Sequence, residues 1–242
     1  MPRALKSIKA HSETHNLGAG STLREFILGC QDGVVNVLGI VLGVAVGTQS
    51  AGIVILAGLA ATFAESISMA AVAYTSSKAA ADFYKQQWKK ELGEIHSKPE
   101  AEREEIRQIY REKGFSGEML EKIVETICSN QKVWLETMMT EELHLSRDGH
   151  NPLQQAVGVG ISAFVGSLVP LFPFFLVPSV SLSTAILASL VFSALLLFAM
   201  GTYKGALTKE NILKSGLEIA IIGLLAAAAG FLVGALLGAP MA

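Results

Sequence analysis

An all-α membrane protein with five transmembrane helices, and a hydrophilic helical domain inserted between the second and third, is the fold class that this 242-residue sequence predicts. Three observations predict it. Hydrophobic residues make up 51 % of the chain and the mean hydropathy is +0.46, high for a soluble domain whose apolar share already includes its core. Of the 40 Asp, Glu, Lys and Arg residues, 27 lie between Lys78 and Asp148. Gly149 to Tyr203 is a run of 55 residues with none, and a single helix needs only about 20 apolar residues to cross a bilayer. These features exclude a purely soluble enzyme, a disordered chain and a secreted disulfide scaffold. Cys30 and Cys128 are far apart, one in an apolar segment and one in a charged one, and imply no disulfide framework. A net charge of −2 gives no electrostatic case for nucleic acid.

The elements follow in order. Residues 1–25 are polar, with Arg3, Lys6, Lys9 and Arg24 among Ser, His and Gly, and no signal-peptide core precedes Phe26. Phe26 to Gly47 is apolar except for Gln31, Asp32 and Asn36, and forms span one. Thr48-Gln49-Ser50 makes a turn before span two, Ala51 to about Tyr74. No Gly or Pro occurs between Gly58 and Gly93, so this helix continues past Lys78 as one rod of roughly 35 residues.

Residues 78–148 read as a hydrophilic helical domain. Ser97-Lys98-Pro99-Glu100 offers a capping box for a helix from Pro99 to Lys113, which Gly114 stops. Two further helices are expected, Gly117 to Ser129 and Gln131 to about Leu145. Leu120, Ile123, Val124 and Ile127 repeat at helical spacing, as do Val133, Leu135 and Met138, which makes both amphipathic. Residues 149–242 return to the membrane as span three, Leu153 to Leu176, span four, Ser183 to Tyr203, and span five, from Ile212 or Ser215 to Leu237. Pro178 and Ser179 to Ser181 divide spans three and four. With the amino terminus inside, all 19 Lys and Arg fall on the cytoplasmic side and the carboxyl end lies outside.

Ionisable groups within spans are costly, and they are functional candidates for that reason. Asp32 and Asn36 share a face of span one, and Glu65 and Met69 share a face of span two with Ser68 beside them. Two carboxylates, an amide and a thioether suit a first-row divalent ion such as Fe²⁺ or Mn²⁺ better than Na⁺ or Mg²⁺. A buried packing role for Glu65 and Met69 is the competing reading. Glu218, near the inner end of span five, is accounted for by snorkelling or by Lys214. Gly39, Gly43 and Gly47 recur every four residues and permit close helix approach, either within one subunit or at a dimer seam. Pro170 and Pro173 interrupt span three and either free backbone groups to line a cavity or simply kink it.

The hydrophilic domain holds 15 acidic and 12 basic residues. Glu91 with Glu94 and Glu102 with Glu105 stand at i, i+3, and Met138, Met139 and Glu142 occupy neighbouring positions on the last helix. Brought together, they offer five carboxylates and two thioethers, with a solvated helix surface as the alternative. No His pair at metal spacing and no Cys-x-x-Cys supports a zinc-type site.

Several motifs carry a resemblance. They are Leu28-Gly29-Cys30-Gln31-Asp32-Gly33 in span one, Leu56-Ala57-Gly58-Leu59-Ala60 leading to Ser68-Met69-Ala70 in span two, and Pro170-Leu171-Phe172-Pro173 in span three. Leu213-Lys214-Ser215-Gly216-Leu217-Glu218 and Met138-Met139-Thr140-Glu141-Glu142-Leu143 complete them. Taken in order, from about His15 to Leu237, the sequence resembles the vacuolar iron transporter family, which also includes yeast Ca²⁺-sensitive cross-complementer vacuolar proteins.

The resemblance implies a homodimeric five-span transporter that exports Fe²⁺, often Mn²⁺ too, from the cytosol in exchange for protons. It implies that Asp32 and Met69 line the path at the subunit interface. It also implies a cytoplasmic three-helix metal-binding domain whose ligands fall on Glu91, Glu94, Glu102, Glu105, Met138, Met139 and Glu142. No resident cofactor is expected, the bound ions being cargo: Fe²⁺, with Mn²⁺, Co²⁺ and Zn²⁺ as further candidates. One departure stands out: where the family follows Ser-Met-Ala with Gly-Glu-Tyr or Gly-Glu-Phe, this chain reads Val72-Ala73-Tyr74. Glu65, eight residues before Ala73 and close to two helical turns, is the expected substitute. The short loops favour a prokaryotic cell membrane over a vacuole. A membrane-anchored iron-binding or sensing protein without transport is the competing class.

Overall fold

A computed structural model describes residues 17–146, 151–177 and 179–237. Arg3, Lys6, Lys9, Pro178 and the Arg147-Asp148 pair lie outside the described residues. The chain divides into two compact units, one of residues up to Ala70 with those from Val157 onward, the other of Ala71–Ala156. Among the described residues every regular element is helical. Five helices are long and apolar enough to cross a membrane, as the composition predicts.

The membrane-type unit contains α1 (Leu17–Thr48), the first part of α2 (Ala51–Ser97), α6 (Pro152–Leu171), α7 (Leu182–Thr208) and α8 (Ile212–Leu237). Helix α1 begins well before Phe26, so the polar segment ahead of span one is helical in part. Span three is shorter as an α-helix than expected, because Pro173 has no N–H to give Val169 and the chain tightens into a 3₁₀ turn at Phe172–Leu176. Pro170 instead sits inside α6, and its carbonyl accepts the Ser189 Oγ hydroxyl at 2.6 Å. That bond satisfies a backbone group inside the apolar core. Asn211 Oδ1 accepts the Lys214 N–H at 3.1 Å and opens the helix that becomes α8.

Small residues set the helix separations here. A Cβ placed on Gly230 would stand 2.1 Å from the Gly39 carbonyl oxygen, and one on Gly234 the same distance from that of Gly43. Gly39 and Gly43 therefore serve a close α1–α8 contact within one subunit. Gly47 lines an open apolar groove beside that contact, with Ile40, Val44 and Val233.

The hydrophilic unit contains the end of α2, then α3 (Pro99–Glu112), α4 (Gly117–Cys128) and α5 (Gln131–Thr137). Helix α2 runs unbroken for 47 residues. The expected capping box does not form. Ser97 is the last residue of α2, Lys98 caps α3 without a side-chain bond, and Pro99 supplies the first turn. Gly114 ends α3 at φ +94°, a conformation that glycine adopts without steric cost. Asn130 Oδ1 accepts the backbone N–H groups of Lys132 and Val133 at 3.0 and 3.3 Å and starts α5.

The last helix departs from expectation. Instead of continuing to Leu145, α5 passes into a π turn at Met138–Glu142, where the Leu143 N–H reaches the Met138 carbonyl at 3.2 Å. The wider turn keeps Met138 and Met139 both fully buried, although they are adjacent in sequence. Their side chains join Ile95, Ile106, Leu120, Val124, Ile127, Trp134 and Leu135 in the core of this unit. Val133 is exposed and Trp134 takes the inward position that the spacing gave to Val133.

Candidate functional site

Two sets of polar side chains qualify, one in each unit. In the spans, Asp32 lies half-buried on α1 and Glu65 half-buried on α2, and their carboxyl groups meet. The Asn36 amide, one turn beyond Asp32, is near enough to act on the same Glu65 carboxyl. Local structure explains the placement. Gly33, next to Asp32, lies against α6, where a Cβ would stand 2.3 Å from the Ala163 carbonyl oxygen, so this stretch of α1 is fixed. Two neighbouring polar groups of α2 are turned onto their own helix. Thr62 Oγ1 donates to the Gly58 carbonyl at 2.8 Å and Ser66 Oγ to that of Thr62 at 2.6 Å, leaving Glu65 as the side chain facing Asp32.

Asp32 also lines a groove of about 500 Å³ whose wall includes Gln31, Arg24 and Lys204. Met69 is half-buried one turn beyond Glu65 and is not part of that wall, and Ser68 is exposed. Glu218 is exposed on α8.

In the hydrophilic unit, Glu91 and Glu102 are only 2 % and 5 % exposed, extraordinary values for carboxylates. Glu94 is half-buried, and Glu105 and Glu142 are exposed at the rim. The five act on one another. Burial, then the charges of Glu105, Glu91, Glu94 and Glu142, pushes the Glu102 carboxyl up to about 7. Desolvation, then Glu105 and Glu91, pushes Glu142 to about 7 as well, and burial raises Glu91 against the opposing pull of Lys90. Oε2 of Glu102 is buried with no hydrogen-bond partner among the described residues. An orphaned buried carboxylate oxygen amid four other carboxylates is costly unless a cation or a proton meets it. As they stand, no three His, Cys, Asp or Glu side chains among the described residues form a closed cage for an ion.

The family model described as the VIT family matches residues 23–235. The chain belongs to the VIT family. It is 34 % identical over 222 residues to vacuolar iron transporter 1 of Arabidopsis thaliana, covering 91 % of this chain and 88 % of the relative. Vacuolar iron transporter 2 of Oryza sativa subsp. japonica is also 34 % identical, over 91 % of this chain and 89 % of its own. The vacuolar iron transporter of Plasmodium falciparum (isolate 3D7) is 30 % identical over 96 % of this chain and 87 % of its own.

In this VIT-family chain, sequence reasoning missed two features of the site. The π turn carries no pattern distinct from an α-helix in so short a window. Lys90 is one of twelve basic residues in a charged segment, and composition alone does not single it out. Its Nζ lies 3.1 Å from Glu94 Oε2 and 3.7 Å from Glu91 Oε1. The signal available was its spacing: Lys90 precedes Glu94 by four, so both occupy the face that carries Glu91 beside them.

Proposed function

We propose that this chain is a transporter, and not an enzyme, that carries Fe²⁺ and Mn²⁺ out of the cytosol in exchange for protons. The observation that carries the reading is the meeting of Asp32 and Glu65 between two apolar helices. Family membership supports it, since the matched relatives are named vacuolar iron transporters. A divalent ion held between two carboxylates cancels both charges, and protons do the same work when the ion has left. Metal entering the pair therefore displaces protons, and the soft sulfur of Met69, next along α2, favours Fe²⁺ and Mn²⁺ over Mg²⁺ and Ca²⁺.

The hydrophilic unit is the collecting domain of this reading. Glu91, Glu94, Glu102, Glu105 and Glu142, with the thioethers of Met138 and Met139, gather ions on the cytosolic side and raise their local concentration. The working form is a homodimer with its amino terminus cytoplasmic, placed in a prokaryotic cell membrane on account of its short loops. The relatives are named for the vacuole. Glu65 stands in for the glutamate that the family places where this chain has Ala73.

Purified protein in proteoliposomes tests the proposal, with Fe²⁺, Mn²⁺, Co²⁺ and Zn²⁺ offered in turn and internal pH recorded. Fe²⁺ uptake should move protons in the opposite direction and collapse in Asp32→Ala. Flux that ignores an imposed pH gradient, or that survives the substitution, sinks it. A tethered iron-binding protein has no use for paired carboxylates in its spans, and deleting residues 85–145 separates the two readings: a tether loses all function, whereas a transporter keeps some flux.

A further inference from the structure

The five carboxylates of the hydrophilic unit are not met only by one another. Lys90 extends its ammonium group over two of them, 3.1 Å from Glu94 Oε2 and 3.7 Å from Glu91 Oε1. Its field reaches Glu142 as well. Glu91 is buried, so its share of this attraction is screened less by water than that of an ordinary surface pair. Three other lysines of this unit pair with different carboxylates: Lys113 with Glu141, Lys122 with Glu118 and Lys132 with Glu136. Those three carboxylates are outside the ligand set.

We infer that Lys90 is a tethered cation that competes with the metal for Glu91 and Glu94, and so sets the metal concentration at which the collecting cluster fills. The inference rests on the reading of this unit as a metal-collecting domain. A divalent ion can take Glu91 Oε1 and Glu94 Oε2 only by moving the ammonium off those two oxygens, since lysine donates three hydrogen bonds but accepts none and cannot itself become a ligand while charged. The exchange exposes Lys90 to water, which its position allows, because its side chain is already 58 % exposed. Glu102, whose Oε2 is unpartnered, forms no ion pair with this ammonium among the described residues and is a ligand that the ion need not win from it. A domain that hands its ions onward is served by such a competitor. The lysine returns to Glu91 and Glu94 as the ion leaves, so the release step ends on a partly neutralised rather than a bare pair of carboxylates.

The test is a Mn²⁺ titration of the full-length, detergent-purified protein, followed by the electron paramagnetic resonance of free Mn²⁺ at fixed ionic strength. Lys90→Met should bind Mn²⁺ roughly three- to tenfold more tightly than the unaltered chain, more than the removal of a plain exposed pair would give. Lys90→Arg, which keeps the charge, should stay within about twofold. Lys85→Met removes an equal charge from the Asp82 pair on the same helix and should change nothing. Equal affinity in Lys90→Met, or an equal gain in Lys85→Met, overturns the inference. A Glu102→Gln arm separates the two failures. If Glu102→Gln weakens Mn²⁺ binding while Lys90→Met leaves it unchanged, the competitor is wrong and the collecting domain stands. If Glu102→Gln also leaves binding unchanged, the domain reading falls and the competitor with it.

Discussion

The membrane-type unit and the hydrophilic unit each gather carboxylates, and they hold them by opposite means. In the first, Asp32 and Glu65 are isolated charges among apolar helices whose separation is set by backbone contact, as at Gly33 against Ala163 and Gly230 against Gly39. In the second, Glu91 and Glu102 are drawn inward beside a side-chain core of Ile95, Ile106, Met138 and Met139, with other acids at the rim. A carboxylate in a span is conspicuous because everything around it is apolar. A carboxylate among 15 acids is conspicuous only by its burial, which the sequence does not print.

The largest effect is expected where the charge is rarest. Asp32→Ala should reduce Fe²⁺ flux into proteoliposomes by about 100-fold, since it removes a ligand from a two-carboxylate pair with no substitute nearby. Glu65→Gln should cost about tenfold and flatten the pH dependence of what flux is left. If Glu65→Gln transports at an unchanged rate with an unchanged pH profile, Glu65 is a packing residue and the pair is Asp32 alone.

Helix contacts come next. Gly230→Val drives a branched side chain at the Gly39 backbone, which has no rotamer by which to yield, and should cost about 1–3 kcal/mol or more. Thermal unfolding in detergent reads the loss. Gly52→Ala is the matched control, because no atom lies within 4 Å of a Cβ placed there. If both variants melt together, close α1–α8 contact is not what holds the membrane-type unit.

The difference between the units also explains what the sequence disclosed. Hydropathy located all five spans, because the bilayer demands about 20 apolar residues regardless of what each helix touches. Face analysis pairs Glu91 with Glu94 and Glu102 with Glu105, because i, i+3 spacing brings side chains to one face wherever the helix goes, and sets Glu142 beside Met138 and Met139, but it does not tell which of them are buried. The failures share a cause. Ser97 matched a capping box that does not form because α2 extends through it, and Met138–Glu142 matched an α-helix that opens into a π turn. Both depend on how a helix end meets its neighbours. The partners of Gly39 and Gly43, on α8, are likewise a tertiary fact: periodicity showed that these glycines permit close approach and left open to what.

The hydrophilic unit should also carry its own pH signature. Glu102 has its carboxyl raised from 4.5 to about 7, so its folded form holds a proton that the unfolded chain has already released. The stabilisation is therefore complete below about 4.5 and is lost as pH rises through about 7, a loss on the order of 3–4 kcal/mol at about 1.4 kcal/mol per unit. Metal-free protein should thus unfold more readily at pH 8 than at pH 5 in this unit. Mn²⁺ should reverse the trend, since an ion replaces the proton and binds best to the ionised cluster. The chain's two tryptophans, Trp88 and Trp134, both lie in this unit, so urea unfolding followed by their fluorescence reports it selectively. Glu142 and Glu91 are raised in the same way, so Glu102→Gln should remove part of the slope, and a slope left unchanged assigns it wholly to those other groups.

The smallest effect sharpens the comparison most. Glu118 is a glutamate like Glu91 and stands on an amphipathic helix of the same unit, but its side chain is 84 % exposed and paired to Lys122 at 2.8 Å. An exposed i, i+4 pair contributes about 0.3–0.5 kcal/mol, and water already solvates the charge that the pair leaves behind. Glu118→Gln should therefore shift urea unfolding by less than about 0.5 kcal/mol and leave Mn²⁺ affinity as it was. Glu91→Gln, at 2 % exposure, should weaken Mn²⁺ binding by about tenfold while stabilising the metal-free unit at pH 8, because it removes a buried charge along with a ligand. Opposite signs for stability and affinity are the mark of a carboxylate held in place for an ion. Equal effects of the two substitutions on Mn²⁺ binding would mean that the unit attracts metal through its overall charge, and that the burial of Glu91 serves packing alone.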